Sequence, residues 1–411
     1  MEQQMKQIKG GVTAAKGFEA AGVEAGIKYQ NRKDMALVYS TAPCRVAGTF
    51  TTNVVKAAPV LWDKEIVENS PFAQAVVVNA GVANAATGKQ GMDYCREEAK
   101  TASELLNIPE NAVLVGSTGV IGMQLPIDRI KEGIQKLVAA KAGTLEAGTI
   151  ASKSIMTTDT RNKEIAVSFE LDGKTVTVGG MSKGSGMIHP NMCTMLSYVT
   201  TDAVISKELL QEALSTSIID SYNMITVDGD TSTNDTCLVL ANGLAGNTEI
   251  AQKGEAYDKF YEALHFVNTY LARQMAGDGE GATALFETTV YNAETKQDAR
   301  ILARSVVGSN LSKAAIYGHD ANFGRFLCAL GYSGVQFDPE KVELFFESKA
   351  GKMQVYKDGA AVDYSEEEAT KILSEPEVTI LVDMKMGTET ATAWGCDLTY
   401  EYVKINADYR S

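Results

Sequence analysis

Thr194 ends the run Lys183-Gly-Ser-Gly-Met-Ile-His-Pro-Asn-Met-Cys-Thr, a glycine-rich and largely apolar approach to a hydroxyl. A threonine hydroxyl is a weak nucleophile until a base stands beside it, and one available base is the threonine's own α-amino group. That amine is free only if the chain cuts itself between Cys193 and Thr194. The product would be one enzyme built from residues 1–193 and 194–411. The plain alternative is a core threonine at the start of a strand over Met195–Thr200. Residue type alone leaves both open.

Gly116-Ser-Thr-Gly-Val-Ile-Gly122 sets three glycines in seven residues directly after an apolar run. Such a stretch is either a tight turn at a strand end or a nest of backbone N–H groups that holds an oxyanion or a phosphate. Lys183 follows another apolar run. It is either a solvated cation or one that grips a substrate carboxylate or depresses a neighbouring pKa. Thr157-Thr-Asp-Thr160 and Asp228-Gly-Asp-Thr-Ser-Thr-Asn-Asp235 are dense in short polar side chains. The second fails as a calcium loop, with Thr233 where glycine is needed and Val239 where glutamate is needed, so both read as turns. Gln274-Met-Ala-Gly-Asp-Gly279 matches a short coenzyme-A loop pattern. Asp278 and Glu280 would set carboxylates against the pyrophosphate, which makes the match a chance one. The same carboxylates would suit an ammonium group.

The six cysteines are far apart and form no C-x-x-C pair, so most read as small buried apolar residues. His189, His265 and His319 are the three histidines and are scattered, which gives no sign of a zinc site or a Ser-His-Asp triad. No metal site is expected.

These residues need elements to position them. Apolar runs at Met35–Ser40, Ala75–Asn79 and Ala112–Val115 predict buried strands, and Ile165–Glu170 and Lys174–Gly179 flank the hairpin signal Asp172-Gly173. Helical periodicity predicts helices over Tyr94–Leu106, Pro126–Lys141, Leu209–Tyr222, Glu255–Ala276 and Glu366–Leu373. Further strands are predicted near Val342–Glu347, Glu377–Val382 and Ala391–Ile405. The hairpins and uneven spacing favour a mixed α/β (α+β) protein, with packed mixed β-sheets flanked by helices in an α-β-β-α arrangement. The softest boundary lies near residues 276–282, so the main domain is expected to run to about residue 280 and a smaller C-terminal α/β lobe to cover 281–411.

With 411 residues, the chain has room for two or more compact domains. Its 38 basic and 52 acidic residues give a net charge of −14. That argues against a nucleic-acid partner or an anionic membrane surface. No apolar run is long enough to span a bilayer, and the start Met-Glu-Gln-Gln-Met-Lys-Gln has no apolar core, so a cytoplasmic location is expected.

Several long strings then resemble one family in its own order. They are Gly11-Val-Thr-Ala-Ala-Lys-Gly-Phe, Asn79-Ala-Gly-Val-Ala-Asn-Ala-Ala-Thr-Gly88, Gly116–Gly122, Met156-Thr-Thr-Asp-Thr160, Lys183–Leu196, Val227–Asp235, Gly277-Asp-Gly-Glu-Gly-Ala-Thr283 and Ile405-Asn-Ala-Asp-Tyr-Arg-Ser411. On these the chain resembles the ornithine acetyltransferases, bifunctional glutamate N-acetyltransferase/amino-acid acetyltransferases of arginine biosynthesis. The resemblance implies that Thr194 is the nucleophile and the cleavage site is Cys193–Thr194. It implies Thr118 and Gly119 as the oxyanion-hole pair, and Thr157, Lys183, Thr194, Glu280, Asn406 and Ser411 as substrate-binding positions. The residue types fit: Lys183 can pair with a carboxylate, Glu280 with an ammonium, and Asn406 offers a donor and an acceptor.

The implied reaction is ping-pong. The Thr194 hydroxyl takes acetyl from N-acetylornithine, ornithine leaves, and glutamate departs as N-acetylglutamate. No bound cofactor is implied, and acetyl-CoA stays open as a second donor. The implied partners are the protein's own two fragments as a heterodimer, assembling to a heterotetramer or larger. Two departures stand out. Cys193 replaces the family's usual alanine, and His319, Ala321 and Phe323 replace the usual Arg, Pro and Trp. Two competing readings remain at this stage: a self-cleaving threonine amidohydrolase or aminopeptidase with water as acceptor, and a non-catalytic scaffold.

Overall fold

The computed structural model describes residues 5–189 and 195–408. Thr194, Cys193 and Ser411 therefore lie outside the described residues. The chain divides into two compact units. Unit 1 comprises the described residues of 1–184, 190–223 and 231–271, and unit 2 those of 185–189, 224–230 and 272–411.

Unit 1 holds β1 (Lys6–Ile8), β2 (Phe18–Val23), β3 (Met35–Phe50), α1 (Ala58–Asn69), β4 (Ala73–Val82), α2 (Lys89–Leu106), β5 (Val113–Val120), α3 (Ile127–Ala140), α4 (Leu145–Ser154), β6 (Lys163–Leu171), β7 (Lys174–Lys183), β8 (Leu196–Thr201), α5 (Lys207–Ile219), β9 (Thr236–Ala241) and α6 (Glu255–Ala276), the last turn of α6 counting with unit 2. Among the described residues the strands run in the order β1-β6-β7-β8-β9-β3-β4-β5, with β2 added on β3. Strand β3 is the joint. Its residues 35–39 pair with β2 and β4, and its residues 45–50 pair with β9. Between them the register shifts, so the long strand serves two sheet halves.

The halves pack face to face. Ala36, Val38, Val76, Val78 and Leu114 from one share a core with Met181, Leu196, Tyr198, Leu238 and Leu240 from the other. On the outer face of the first half, Met35, Leu37, Val77 and Val113 pack against Ala99 and Ala102 of α2 and Ile130, Ile134 and Leu137 of α3. Strands β4, β8 and β9 are buried along their whole length, so they show no alternation of buried and exposed residues. The expected α-β-β-α arrangement is thus a consequence of buried strands needing cover on both faces.

Unit 2 holds β10 (Leu285–Ala293), α7 (Lys296–Gly308), α8 (Asn310–Tyr317), α9 (Phe323–Gly331), β11 (Glu343–Ser348), β12 (Gly351–Lys357), β13 (Ala360–Ala361), α10 (Glu366–Leu373), β14 (Glu377–Asp383), β15 (Glu389–Cys396) and α11 (Tyr400–Ala407). Its six strands run β13-β12-β11-β14-β10-β15. Helix α7 covers the sheet with Ala299, Leu302, Ala303, Val306 and Val307.

Three sequence expectations need correction. The predicted strand Ala391–Ile405 stops at Cys396, and Tyr400–Ala407 is helical. Thr399 caps that helix, its hydroxyl accepting the N–H of Tyr402 at 3.4 Å. Run-on alternation of β-branched and aromatic residues had hidden the cap. Second, β5 does not end before the glycines but continues through Val120, still paired with β4. Third, α5 ends at Ile219, and Tyr222–Met224 is a short 3-10 turn.

Behind β5 lies a cluster of buried acids. Asp63 accepts the N–H of Val115 at 2.8 Å, and Glu98 is fully buried with neither oxygen hydrogen-bonded. Burial pushes the Glu98 carboxyl up to about 8 and carries Asp63 well above the carboxylate range, with Glu98 pushing Asp63 further. The native state therefore keeps the Glu98 proton up to about pH 8, whereas the unfolded chain releases it near 4.5. Between those values the unfolded state binds fewer protons, so stability falls as pH rises, by at most about 1.4 kcal/mol per pH unit for one group. Glu98→Gln should flatten this slope. Melting temperatures at pH 6 and pH 9 test it: the variant gains on wild type at the higher pH, and parallel curves would refute the assignment.

Candidate active site

In unit 1 three of the sequence-predicted residues lie on strands. Thr118 and Gly119 lie on β5, and Lys183 is the last residue of β7. Lys183 Nζ donates to Thr118 Oγ1 at 3.2 Å, and both side chains are buried. Neither the solvated-lysine reading nor the plain-turn reading fits this contact.

Gly119 sits at φ +131°, opposite Gly81 of β4. A Cβ there would lie 2.2 Å from the Gly81 carbonyl carbon and 2.4 Å from its oxygen. No side chain is compatible with that approach, so β4 and β5 meet backbone against backbone at this point. Asn234 reinforces the arrangement. Its amide donates to the carbonyls of Ala83 at 2.6 Å and Ser117 at 2.8 Å, tying β4 to the residue before Thr118.

Asp159 organises the remainder. It accepts Lys163 Nζ at 2.7 Å, the Gly184 N–H at 2.8 Å and the Thr157 N–H at 3.1 Å. One carboxylate thus holds the residue after Lys183 and the backbone of Thr157, whose carbonyl also accepts from Arg32 at 3.1 Å. Burial alone would raise the Asp159 pKa, but Lys163 and Lys183 overcome it and hold the carboxyl down to about 2. The Asp159–Lys163 pair is buried, each side chain 1% exposed. Asp159→Ala strands a buried lysine, and breaking a buried pair costs about 3–5 kcal/mol. A sharp drop in melting temperature at neutral pH is the expected result, and an unchanged one would show that the pair is not structural. The contribution is present at neutral pH and fades as the pH falls from the ordinary 3.8 towards 2.

In unit 2, Glu280 is buried and its carboxylate accepts the Asn406 amide at 2.7 Å. Its backbone N–H donates to the Ser185 carbonyl at 2.9 Å. Gly186 is small enough for the Glu280 carboxyl to lie against it, where a Cβ would come within 2.4 Å. Asn406 reaches Glu280 only because residues 400–407 are helical.

His189 is not a base here. Arg304, which can only donate, gives a hydrogen bond to His189 Nε2 at 3.0 Å, so the ring proton is on Nδ1 and faces Thr226 Oγ1 at 3.0 Å. Burial, then Arg304, hold its pKa down to about 4, which keeps the ring neutral.

Sequence reasoning missed Asp159, Arg32 and Asn234, and read the segments of Asp159 and Asn234 as turns. The available signal was the density of short polar residues at 157–160 and 228–235, which on a surface is turn chemistry and when buried is a hydrogen-bond network. Among the described residues, no group of three or more His, Cys, Asp or Glu could hold a metal ion, and no helix is long and apolar enough to cross a membrane.

The mixed α/β scaffold thus holds a glycine packed against the neighbouring strand beside Thr118, and a buried lysine hydrogen-bonded to that threonine. The ArgJ family model matches residues 19–411, and the chain belongs to this family. It is similar to the arginine biosynthesis bifunctional protein ArgJ of Thermotoga neapolitana, with 52% identity over 96% of this chain and 99% of that one. It is similar to the protein of the same name from Caldanaerobacter subterraneus subsp. tengcongensis, with 49% identity over 99% of this chain and 100% of that one. Among solved structures, the crystal structure of the arginine biosynthesis bifunctional protein argJ from Bacillus halodurans is 46% identical. It covers 52% of this chain and 98% of its own, with a TM-score of 0.49.

Proposed function

We propose that the protein is a self-processing glutamate N-acetyltransferase of arginine biosynthesis that uses Thr194 as its nucleophile. The observation that carries this reading is membership of the ArgJ family along nearly the whole chain. The Thr194 hydroxyl attacks the acetyl carbonyl of N-acetylornithine while the freed α-amine of Thr194 takes its proton. The backbone at Thr118 and Gly119 holds the oxyanion, ornithine leaves, and acetyl stays on Thr194 as an ester. Glutamate then accepts the acetyl group by the reverse steps. Lys183 is the cation for a substrate carboxylate, with Thr157 beside it through Asp159. Glu280 serves a substrate ammonium group, with Asn406 orienting it, and Ser411 completes the substrate-binding set.

Relatives of this chain are named bifunctional, and we read the second activity as glutamate acetylation with acetyl-CoA as donor. No bound cofactor takes part. The working unit is the pair of fragments 1–193 and 194–411, assembled as a heterotetramer or larger in the cytoplasm.

Acetyl transfer tests the reading. With N-acetylornithine as donor, N-acetylglutamate should form at a rate that depends on glutamate. Acetate released equally with and without glutamate would overturn the transferase in favour of an amidohydrolase.

A further inference from the structure

Helix α11 carries Asn406, whose amide meets the Glu280 carboxylate, yet none of its residues is buried. A short helix without a buried face needs directed polar contacts to fix its place. In unit 2 those contacts converge on the turn that presents Glu280. The Ala282 N–H donates to the Gly279 carbonyl at 2.9 Å, which makes Glu280 and Gly281 the central pair of a tight turn. Gly281 has φ +71°, the conformation that a type II turn requires at its second central residue. The turn lies close against the start of α11: a Cβ on Gly281 would come within 2.8 Å of the Tyr402 nitrogen.

Thr399 joins the turn to the helix. Its hydroxyl donates to the Gly281 carbonyl at 2.8 Å and accepts the Tyr402 N–H at 3.4 Å. A hydroxyl has one donor and spare lone pairs, so the two bonds coexist. Capping needs only an acceptor, and Asp, Asn or Ser would serve. The bond to Gly281 needs a donor as well, and it fixes the peptide just beyond Glu280. From the same helix the Asn406 amide nitrogen donates to Glu280 Oε2 at 2.7 Å and to the Tyr402 carbonyl at 3.0 Å, which uses both its hydrogens. Asp397 holds the far side of the turn. It is buried and accepts the N–H groups of Thr283 at 2.9 Å and Ala284 at 3.2 Å, and the Thr283 hydroxyl at 2.5 Å.

We propose that Thr399 is a positioning residue for substrate selection: its one hydroxyl fixes both the backbone under Glu280 and the helix that supplies Asn406, and so aims the Glu280 carboxylate at the side-chain ammonium of the acetyl donor. This rests on the reading that Glu280 serves a substrate ammonium group. In N-acetylornithine the acetyl group blocks the α-nitrogen, so the side-chain ammonium is the cation left to recognise. Asn406 occupies Oε2 and leaves Oε1 for it. A charge-assisted hydrogen bond is strong only when donor and acceptor are aligned, and a carboxylate swung aside by a loosened turn loses it.

The experiment compares two donors on the purified enzyme with glutamate as acceptor. They are N-acetylornithine and N-acetylnorleucine, which carries a methyl group in place of the ammonium. The preference is the ratio of their kcat/KM values, measured for wild type, Glu280→Gln, Thr399→Val and Thr399→Ser. Wild type should favour N-acetylornithine. Glu280→Gln should lower that preference by up to about 100-fold, the worth of a hydrogen bond to a charged group, and Thr399→Val by roughly tenfold, the worth of a neutral one. Thr399→Ser keeps the hydroxyl and should keep the preference. General loss of structure lowers kcat/KM for both donors alike and leaves the ratio unchanged. Circular dichroism reports folding. If Thr399→Val is not recovered folded, Thr399→Ala takes its place, since it removes the same hydroxyl without setting a methyl against the Gly281 carbonyl. Wild type that transfers acetyl from neither donor overturns the proposed function. Wild type without a preference, or Glu280→Gln that retains it, overturns the Glu280 reading. A preference lost in Glu280→Gln but retained in the folded Thr399 variant overturns the role of Thr399 alone.

Discussion

Thr194→Ala will leave the purified protein as a single chain of full length and will abolish acetyl transfer. The substitution removes the group that would open the Cys193–Thr194 bond. Without that cut no α-amine is freed to act as base, so the variant lacks nucleophile and base together. Loss of a covalent nucleophile alone costs on the order of 10⁶ in kcat. The residual rate should therefore fall below detection rather than to a measurable fraction. Intact mass shows the first part: wild type gives two species corresponding to 1–193 and 194–411, and the variant gives one. Thr194→Ser keeps a hydroxyl and should still be cut. A Thr194→Ala protein that arrives as two fragments would place the nucleophile elsewhere. Cys193 enters only through its carbonyl, so Cys193→Ala should leave cleavage intact.

Gly119→Ala is the second large effect. The added Cβ would meet the Gly81 carbonyl carbon at 2.2 Å, oxygen at 2.4 Å and Cα at 2.7 Å, all backbone atoms that cannot rotate away. Strands β4 and β5 must part at that register, and the backbone at Thr118 and Gly119 moves with them. Loss of one oxyanion donor lowers kcat by about 10²–10³-fold. The defect should appear in kcat more than in KM, because the interaction forms chiefly in the transition state. Gly122→Ala is the control. It also has positive φ, +82°, but nothing lies within 4 Å of its added Cβ, so it should cost stability and little activity. Equal kcat values for the two variants would remove Gly119 from the oxyanion role.

Much of the frame was legible because its causes are local. The helices over Glu255–Ala276 and Glu366–Leu373 have the bounds that periodicity predicts. The hairpin at Asp172-Gly173 joins β6 to β7, with Leu171 opposite Lys174. Helices α7, α8 and α9 went unread, and the strand read through to Ile405 is a helix from Tyr400. The hydroxyl caps that open three of these helices, Thr295, Ser309 and Thr399, were not recognised as helix starts.

The sequence by itself determined which residue types were available for acyl chemistry, the family they belong to, and the alternation of buried strands with covering helices. Spacing along the chain and the solubility of each side chain set those things. Only the tertiary structure decided what the polar segments do. Asp159 is 24 residues from Lys183 in sequence, yet it accepts the N–H of Gly184, and Lys183 reaches Thr118 across 65 residues. A short polar residue reads as a turn when its neighbours in space are unknown. Burial turns the same residue into a hydrogen-bonded anchor, because a carboxyl or amide removed from water must find its partners within the protein.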